Sequence, residues 1–135
     1  MDYQVSVVGG GISGALAALY LGKSRVKTCL IDRGKPSQRL SNPYLGKTTS
    51  LNLSSIASLR DVGIWEDIKK NAQEFNEIYV WDAEGSSSVQ FKAEEISRND
   101  LGVIVHNNII LESIYSKLEQ ISEVTLIEEE SLKEI

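Results

Sequence analysis

Only one cysteine, one histidine, one methionine and two prolines occur in this chain of 135 residues. A lone cysteine forms no internal disulfide. Cys29 lies in the apolar stretch KTCLID, where it reads as a small buried side chain. A zinc site built from Cys and His clusters is excluded, because Cys29 and His106 are the sole residues of their kinds. Basic excess is missing too. The net charge is −5, and no basic stripe interleaved with aromatics is present, so no nucleic-acid partner is expected. No apolar run reaches the ~18–20 residues that cross a bilayer. Residues 5–21 come nearest, but glycines at 9, 10, 11 and 14 interrupt them. The opening MDYQ has neither the basic leader nor the cleavage site of a signal peptide. These absences predict a cytoplasmic chain, or one held peripherally on the cytoplasmic side of a membrane.

What is present fits one ordinary globular domain: 41% hydrophobic and 24% charged residues. QVSVVG (4–9) is Val-rich and strand-like, and ISGALAALYLGK (12–23) carries Leu16, Leu19 and Tyr20 at helical spacing. VKTCLID (26–32) is a second strand-like run, which completes a βαβ unit. Residues 33–47 hold both prolines and have loop chemistry. TTSLNLSSIASLRDVGIWEDIKK reads as helical, with Leu51, Ile56 and Leu59 on one side and a break at Gly63. The runs around AEGSS predict a hairpin, VIVHNN a short strand, NIILESIYSKLEQI an amphipathic helix and EVTLIEE a last strand. The stripe of that helix is Ile110, Ile114, Leu118 and Ile121. The expected class is α/β with an antiparallel insertion.

Gly9, Gly11 and Gly14 satisfy G-x-G-x-x-G between the first strand and the first helix. Asp32 closes the second strand 18 residues after Gly14, near the ~20 expected for a dinucleotide fingerprint. Gly9 permits the tight turn, Gly11 lets a pyrophosphate approach the backbone, and Gly14 lets helix and strand pack closely. The N–H groups at the helix start, those of Ile12 and Ser13 included, attract phosphate. A carboxylate at Asp32 suits a ribose diol and disfavours a 2′-phosphate, although Arg33 follows it directly. NAD and FAD both use such a turn, so the glycines leave that choice open.

Four segments occur in order: VSVVGGGISG, KTTSLNLSSIASLRDVGIWEDI, EIYVWDAEG and LGVIVHNNIILESIYSKL. Together they resemble the N-terminal third of the flavin-dependent aromatic hydroxylases of ubiquinone biosynthesis, the polyprenyl-phenol hydroxylase group. LxxVGIW followed by VWDAEG is more specific to that group than the glycine turn. The resemblance implies an incomplete Rossmann-type FAD-binding βαβ unit, with the beginning of an antiparallel β substrate domain inserted. It divides the chain into an ADP-binding unit (1–34), a helical segment (48–72), the start of the substrate-domain sheet (75–106), and a helix and strand returning to the FAD domain (107–127). It places FAD with its ADP half on Gly9, Gly11, Ile12, Ser13, Gly14, Asp32 and Arg33. The reduced flavin of such enzymes binds O₂ as a C4a-hydroperoxide and passes one oxygen atom to an electron-rich ring. NAD(P)H or another donor supplies the electrons, and the substrate is a prenylated phenol. A related flavoenzyme with another aromatic or isoprenoid substrate, and a non-catalytic nucleotide-binding remnant, are the competing readings.

Two positions depart from that family. Lys47 stands where it has an arginine that reaches toward the cofactor; a lysine keeps the charge but loses the planar fork. A cofactor contact and a solvated surface lysine are both open at Lys47. His106 stands where an acidic residue is common. A flavin-side role is open at His106 or Asn107, and Asn107 reads otherwise as the cap of the following helix. Trp65 and Trp81 read as packing anchors, Glu94, Glu95 and Glu128–Glu130 as solvated faces, and Asp61 and Asp67 as helix-surface residues. No residue is assigned a catalytic or metal-binding role. Two further family signatures, a strand ending in Asp-Gly and a Gly-Asp-Ala segment, do not occur in residues 1–135. The expectation is therefore a fragment that requires more polypeptide, from a second chain in one version, to enclose the flavin ring. In isolation it is expected to be marginally stable, with an exposed Val-rich strand edge, and to lack hydroxylase activity. Sedimentation together with a thermal melt checks this; a monodisperse monomer with a sharp two-state transition would count against it.

Overall fold

The computed structural model describes residues 2–36 and 46–131. Most of the loop expected over 33–47 lies outside them. The first strand, β1 (Val5–Val8), turns into helix α1 (Ile12–Lys23), which leads to β2 (Thr28–Ile31). The chain then leaves this layer and returns to it at β8 (Val124–Ile127). These three strands form a parallel sheet in the order β1-β2-β8, with Val7 opposite Leu30 and Leu30 opposite Leu126. β1 therefore has a partner on one side only among the described residues, and Val8 is exposed at that edge. Thr28, a polar residue where an aliphatic one is usual, is fully buried. Its hydroxyl donates to the Val26 carbonyl at 3.0 Å, so its desolvation is compensated. Cys29 is buried as expected, beside the Ser6 hydroxyl.

Between β2 and β8 lies the antiparallel part. β3 (Thr48–Asn52), β7 (Gly102–His106) and β4 (Gln73–Phe75) form a sheet with β7 in the middle, and β5 (Glu77–Trp81) pairs with β6 (Ser88–Lys92) as a hairpin. Helices α2 (Leu53–Asp61) and α3 (Trp65–Lys69) follow β3, and α4 (Asn107–Leu118) follows β7. The expected hairpin, the strand at VIVHNN and the last two elements are all present. The α/β class with an antiparallel insertion holds.

The helical reading of residues 48–52 is corrected, since they form β3. Thr48 and Thr49 are β-branched and stiff, which favours a strand, and β7 supplies the ladder: Leu51 opposes Val103 and Asn52 opposes Gly102. The helix starts one residue after Asn52, whose Oδ1 accepts the Ser55 N–H at 2.9 Å as an N-cap. β4 was not expected. Its three residues carry no strand pattern and pair with the free side of β7. At Gly102 φ is +152°, and a Cβ there would lie 2.2 Å from the Leu51 carbonyl oxygen, so this crowded middle strand needs glycine. Gly63, with φ +79°, ends the α2 region where the sequence predicts a break.

The core lies where α1 and α4 meet and continues under α2 and α3. Ala15, Ala18 and Leu19 of α1 and Ile110 and Ile114 of α4 are completely buried. Leu111 and Tyr115 widen the stripe of α4 beyond the expected residues. Ile121 lies past the end of that helix and packs against the core from there. α1 can approach β8 closely because Gly22 has no side chain: a Cβ would sit 2.5 Å from a Val124 methyl. The tryptophans differ from each other. Trp65 is a packing anchor at 4% exposure, but Trp81 is 66% exposed. Trp81 stacks on Tyr79 with ring centroids 5.7 Å apart instead of entering the core. Trp65→Ala is expected to cost about 3–5 kcal/mol, and Trp81→Ala about 1 kcal/mol or less. Paired urea denaturation curves check the contrast.

Candidate functional site at the glycine turn

Where β1 ends, Gly9 takes φ +104°, a conformation that strains any residue with a side chain. Its N–H still donates to the Ile31 carbonyl at 2.8 Å, so the parallel ladder runs into the turn. Gly11 is the N-cap of α1. Its carbonyl accepts the Ala15 N–H at 2.9 Å, but no side chain caps the helix and its first turn carries no acidic residue. The first N–H groups of a helix have no intrahelical partner, so the positive end of α1 is left for another acceptor. Gly14 fixes how near that end comes to the strand. A Cβ on Gly14 would lie 1.9 Å from the Gly9 carbonyl oxygen and 3.4 Å from a Val7 methyl.

Asp32 faces this turn from the end of β2 and is 7% exposed. Backbone N–H groups hold both of its carboxylate oxygens: Gly10 donates to Oδ2 in a very short bond, and Gly34 donates to Oδ1 at 2.8 Å. Its own backbone is tied to the β8 side, with N–H to the Ile127 carbonyl at 2.9 Å and its carbonyl accepting from Glu130 at 3.1 Å. These bonds fix the orientation of the carboxylate. From α4, the Tyr115 hydroxyl donates to the Gly10 carbonyl at 2.8 Å.

An open cleft of about 420 Å³ runs along Val8, Gly9, Gly11, Ile31, Asp32, Arg33, Glu130 and Ser131. That is within the ~300–1,000 Å³ usual for small-molecule sites. Of the residues singled out from sequence, Gly9, Gly11, Asp32 and Arg33 line it, with Arg33 exposed at its rim. Ile12, Ser13 and Gly14 form the first turn of α1 behind Gly11. Lys47 does not line this cleft. It precedes β3, its side chain is exposed, and its carbonyl accepts the Asn107 N–H at 2.9 Å. The capping role expected of Asn107 is corrected, since His106 is the N-cap and Asn107 the first helical residue. The Thr49 hydroxyl on β3 donates to Asn107 Oδ1 at 2.5 Å, so that oxygen is used in tying α4 to the sheet.

Two site residues escape a reading of the motif. Gly10 occupies a position that G-x-G-x-x-G leaves free, yet a Cβ there would sit 2.3 Å from the Tyr115 hydroxyl and 2.9 Å from Asp32 Oδ2. Its place as the middle glycine of the GGG run was its only signal. Tyr115 falls in the apolar stripe of α4, and its signal was that a buried tyrosine hydroxyl normally finds a partner. Among the described residues no group of His, Cys, Asp and Glu is arranged to hold a metal ion, and no helix is long and apolar enough to cross a membrane.

Residues 2–126 match the FAD binding domain family. The ubiquinone biosynthesis monooxygenase COQ6 of Dictyostelium discoideum is 30% identical over 147 residues, covering 97% of this chain and 30% of that protein. The human COQ6 protein is 30% identical over 128 residues, covering 90% of this chain and 27% of that protein. The ubiquinone hydroxylase UbiL of Rhodospirillum rubrum is 27% identical over 124 residues, covering 92% of this chain and 29% of that protein. This chain thus spans less than a third of the length of those relatives. Among solved structures, p-nitrophenol 4-monooxygenase PnpA from Pseudomonas putida superposes with a TM-score of 0.74 at 21% identity, covering 97% of this chain and 33% of that one. At that identity the likeness is one of fold.

The Asp32 carboxylate holds the β1–α1 turn and the segment after β2 together before any ligand arrives. Asp32→Asn keeps the shape but turns an NH₂ group toward one of the two N–H donors, and is expected to destabilise the ligand-free chain by about 1–3 kcal/mol. Urea denaturation without any nucleotide checks this.

Proposed function

This chain belongs to the FAD binding domain family, and we propose that its first βαβ unit holds the ADP half of FAD for a monooxygenase acting on a prenylated phenol. The observation that carries the reading is the seating of α1. Its uncapped N-terminus is brought against the end of β1 by Gly14, beside a buried carboxylate at Asp32. The residues fit the cofactor. The pyrophosphate needs free N–H donors and a close approach to the backbone; Gly11, Ile12, Ser13 and Gly14 supply the start of α1, and Gly9, whose own N–H is taken by Ile31, makes the turn that leads into it. The ribose diol needs an acceptor already oriented, and Asp32 is fixed by Gly10 and Gly34. Arg33, at the rim of the same cleft, offers a cation to the diphosphate.

Bound FAD, once reduced by NAD(P)H or another donor, supplies the activation of O₂ that inserts one oxygen atom into an electron-rich ring. The described residues contribute binding and orientation. They supply phosphate donors, hold the adenosine-side carboxylate in place and keep side chains out of the pyrophosphate path. Lys47 and Asn107 meet at the β3–β7–α4 junction, and neither is part of the cleft lining; we assign Lys47 an electrostatic contact with a part of the cofactor beyond that cleft. The prenylated-phenol substrate is supported by the COQ6 relatives, named for ubiquinone biosynthesis, and by UbiL, named a ubiquinone hydroxylase, all of which align with most of this chain.

Titration with FAD, followed by flavin fluorescence, tests the reading. FAD is expected to bind in competition with ADP and not with FMN. Tight NAD binding with no FAD binding would overturn the assignment. Gly14→Ala should weaken FAD by more than about tenfold, the ~1.5–3 kcal/mol of a charge-assisted hydrogen bond, with circular dichroism confirming that the variant is folded.

A further inference from the structure

We infer that Tyr115 is a positioning residue for the dinucleotide turn. Its hydroxyl fixes the plane of the Gly10–Gly11 peptide, so that the Gly11 N–H is presented to the diphosphate. The inference rests on the FAD reading for the identity of the ligand and on the geometry of the turn for everything else.

Tyr115 is 5% exposed and sits 105 residues from Gly10 in sequence. Its neighbours on the buried face of α4 are Leu111, Ile114 and Leu118, so a leucine or phenylalanine would serve packing alone. The hydroxyl donates to the Gly10 carbonyl at 2.8 Å. Among the described residues no peptide bond is cis, and in a trans peptide the N–H points opposite to the C=O. Aiming the Gly10 carbonyl at α4 therefore aims the Gly11 N–H away from α4. Gly11 is both the N-cap of α1 and part of the cleft lining. The same bond polarises that peptide and strengthens its N–H as a donor.

The Gly10 residue is held at both ends, by Tyr115 at its carbonyl and by Asp32 at its N–H. No side chain fits between these partners, since a Cβ on Gly10 would meet both. Gly10 and Tyr115 thus form a matched pair. The anchor is itself supported, because α4 is bonded at its start to β3 through Thr49 and Asn107. The antiparallel sheet sets α4, and α4 sets the turn.

The test uses the full chain carrying Tyr115→Phe, with Ile114→Val as a control. Ile114 is fully buried one residue away. Two quantities are measured: the dissociation constants for FAD and ADP well below the melting temperature, and hydrogen exchange of the Gly10 and Gly11 amides by NMR without ligand. Both variants are expected to melt earlier. Only Tyr115→Phe is expected to weaken FAD and ADP, by about threefold to tenfold, the size of one hydrogen bond, and to speed exchange at Gly10 and Gly11 over the control. Unchanged dissociation constants and unchanged exchange would reduce Tyr115 to a core residue and overturn the proposal. If the unmutated chain bound neither FAD nor ADP, the FAD reading would fall, and exchange at Gly10 and Gly11 would still decide whether Tyr115 holds the turn.

Discussion

The contact between Gly14 of α1 and the carbonyl of Gly9 governs the rest of this structure. A helix start has a useful field only close to its end, within about the first turn. A single Cβ on Gly14 would lie 1.9 Å from the Gly9 oxygen, so any side chain there would push the helix away from the strand. Once α1 is seated, several features follow. Gly11 becomes an N-cap free of side-chain partners. Gly10 comes within reach of Asp32 and of Tyr115. The buried faces of α1 and α4 meet at Ala15, Ala18, Ile110 and Ile114.

The turn is enclosed by polar groups, most of whose bonds run between segments far apart in the chain. Asp32 receives N–H groups from Gly10 and Gly34 and is bonded through its backbone to Ile127 and Glu130. Burying a carboxylate is costly unless it is bonded, and here the bonds join three separate segments at one point. The backbone of this turn therefore depends on residues distant in the chain. The antiparallel sheet has a similar role at one remove, because it fixes the start of α4 through Thr49 and Asn107.

The β5–β6 hairpin contrasts with this part of the molecule. Ile78, Val80, Val89 and Phe91 come from cross-strand pairs on one face, and all are exposed. Trp81 and Tyr79 stack on the other face, also in solvent. The alternation that made the hairpin legible is a property of strands. It predicts which residues share a face, and says nothing about whether that face is covered. Trp81 was misjudged for that reason, whereas Trp65, at the start of α3 and within the core, behaves as its size suggests.

Much of the fold was legible because local rules agree with the tertiary outcome. α1 begins and ends where its glycines and apolar spacing say, and the G-x-G-x-x-G turn with Asp32 at the right interval marked the cleft. Residues 48–52 were not legible as a strand, since Leu51, Ile56 and Leu59 also fit a helical period and only pairing with β7 decides between the two. Asn107 looked like a cap until the Thr49 hydroxyl across the sheet claimed its oxygen. Sequence by itself determined the βαβ unit, its glycine turn and the acid facing it, because each depends on residues within about thirty positions and on backbone conformations that glycine alone allows. Tertiary structure alone decided that Tyr115 and Gly10 meet, that β4 exists, and that Lys47 is not in the cleft lining. Those outcomes depend on contacts between segments far apart in the chain, which no local pattern encodes.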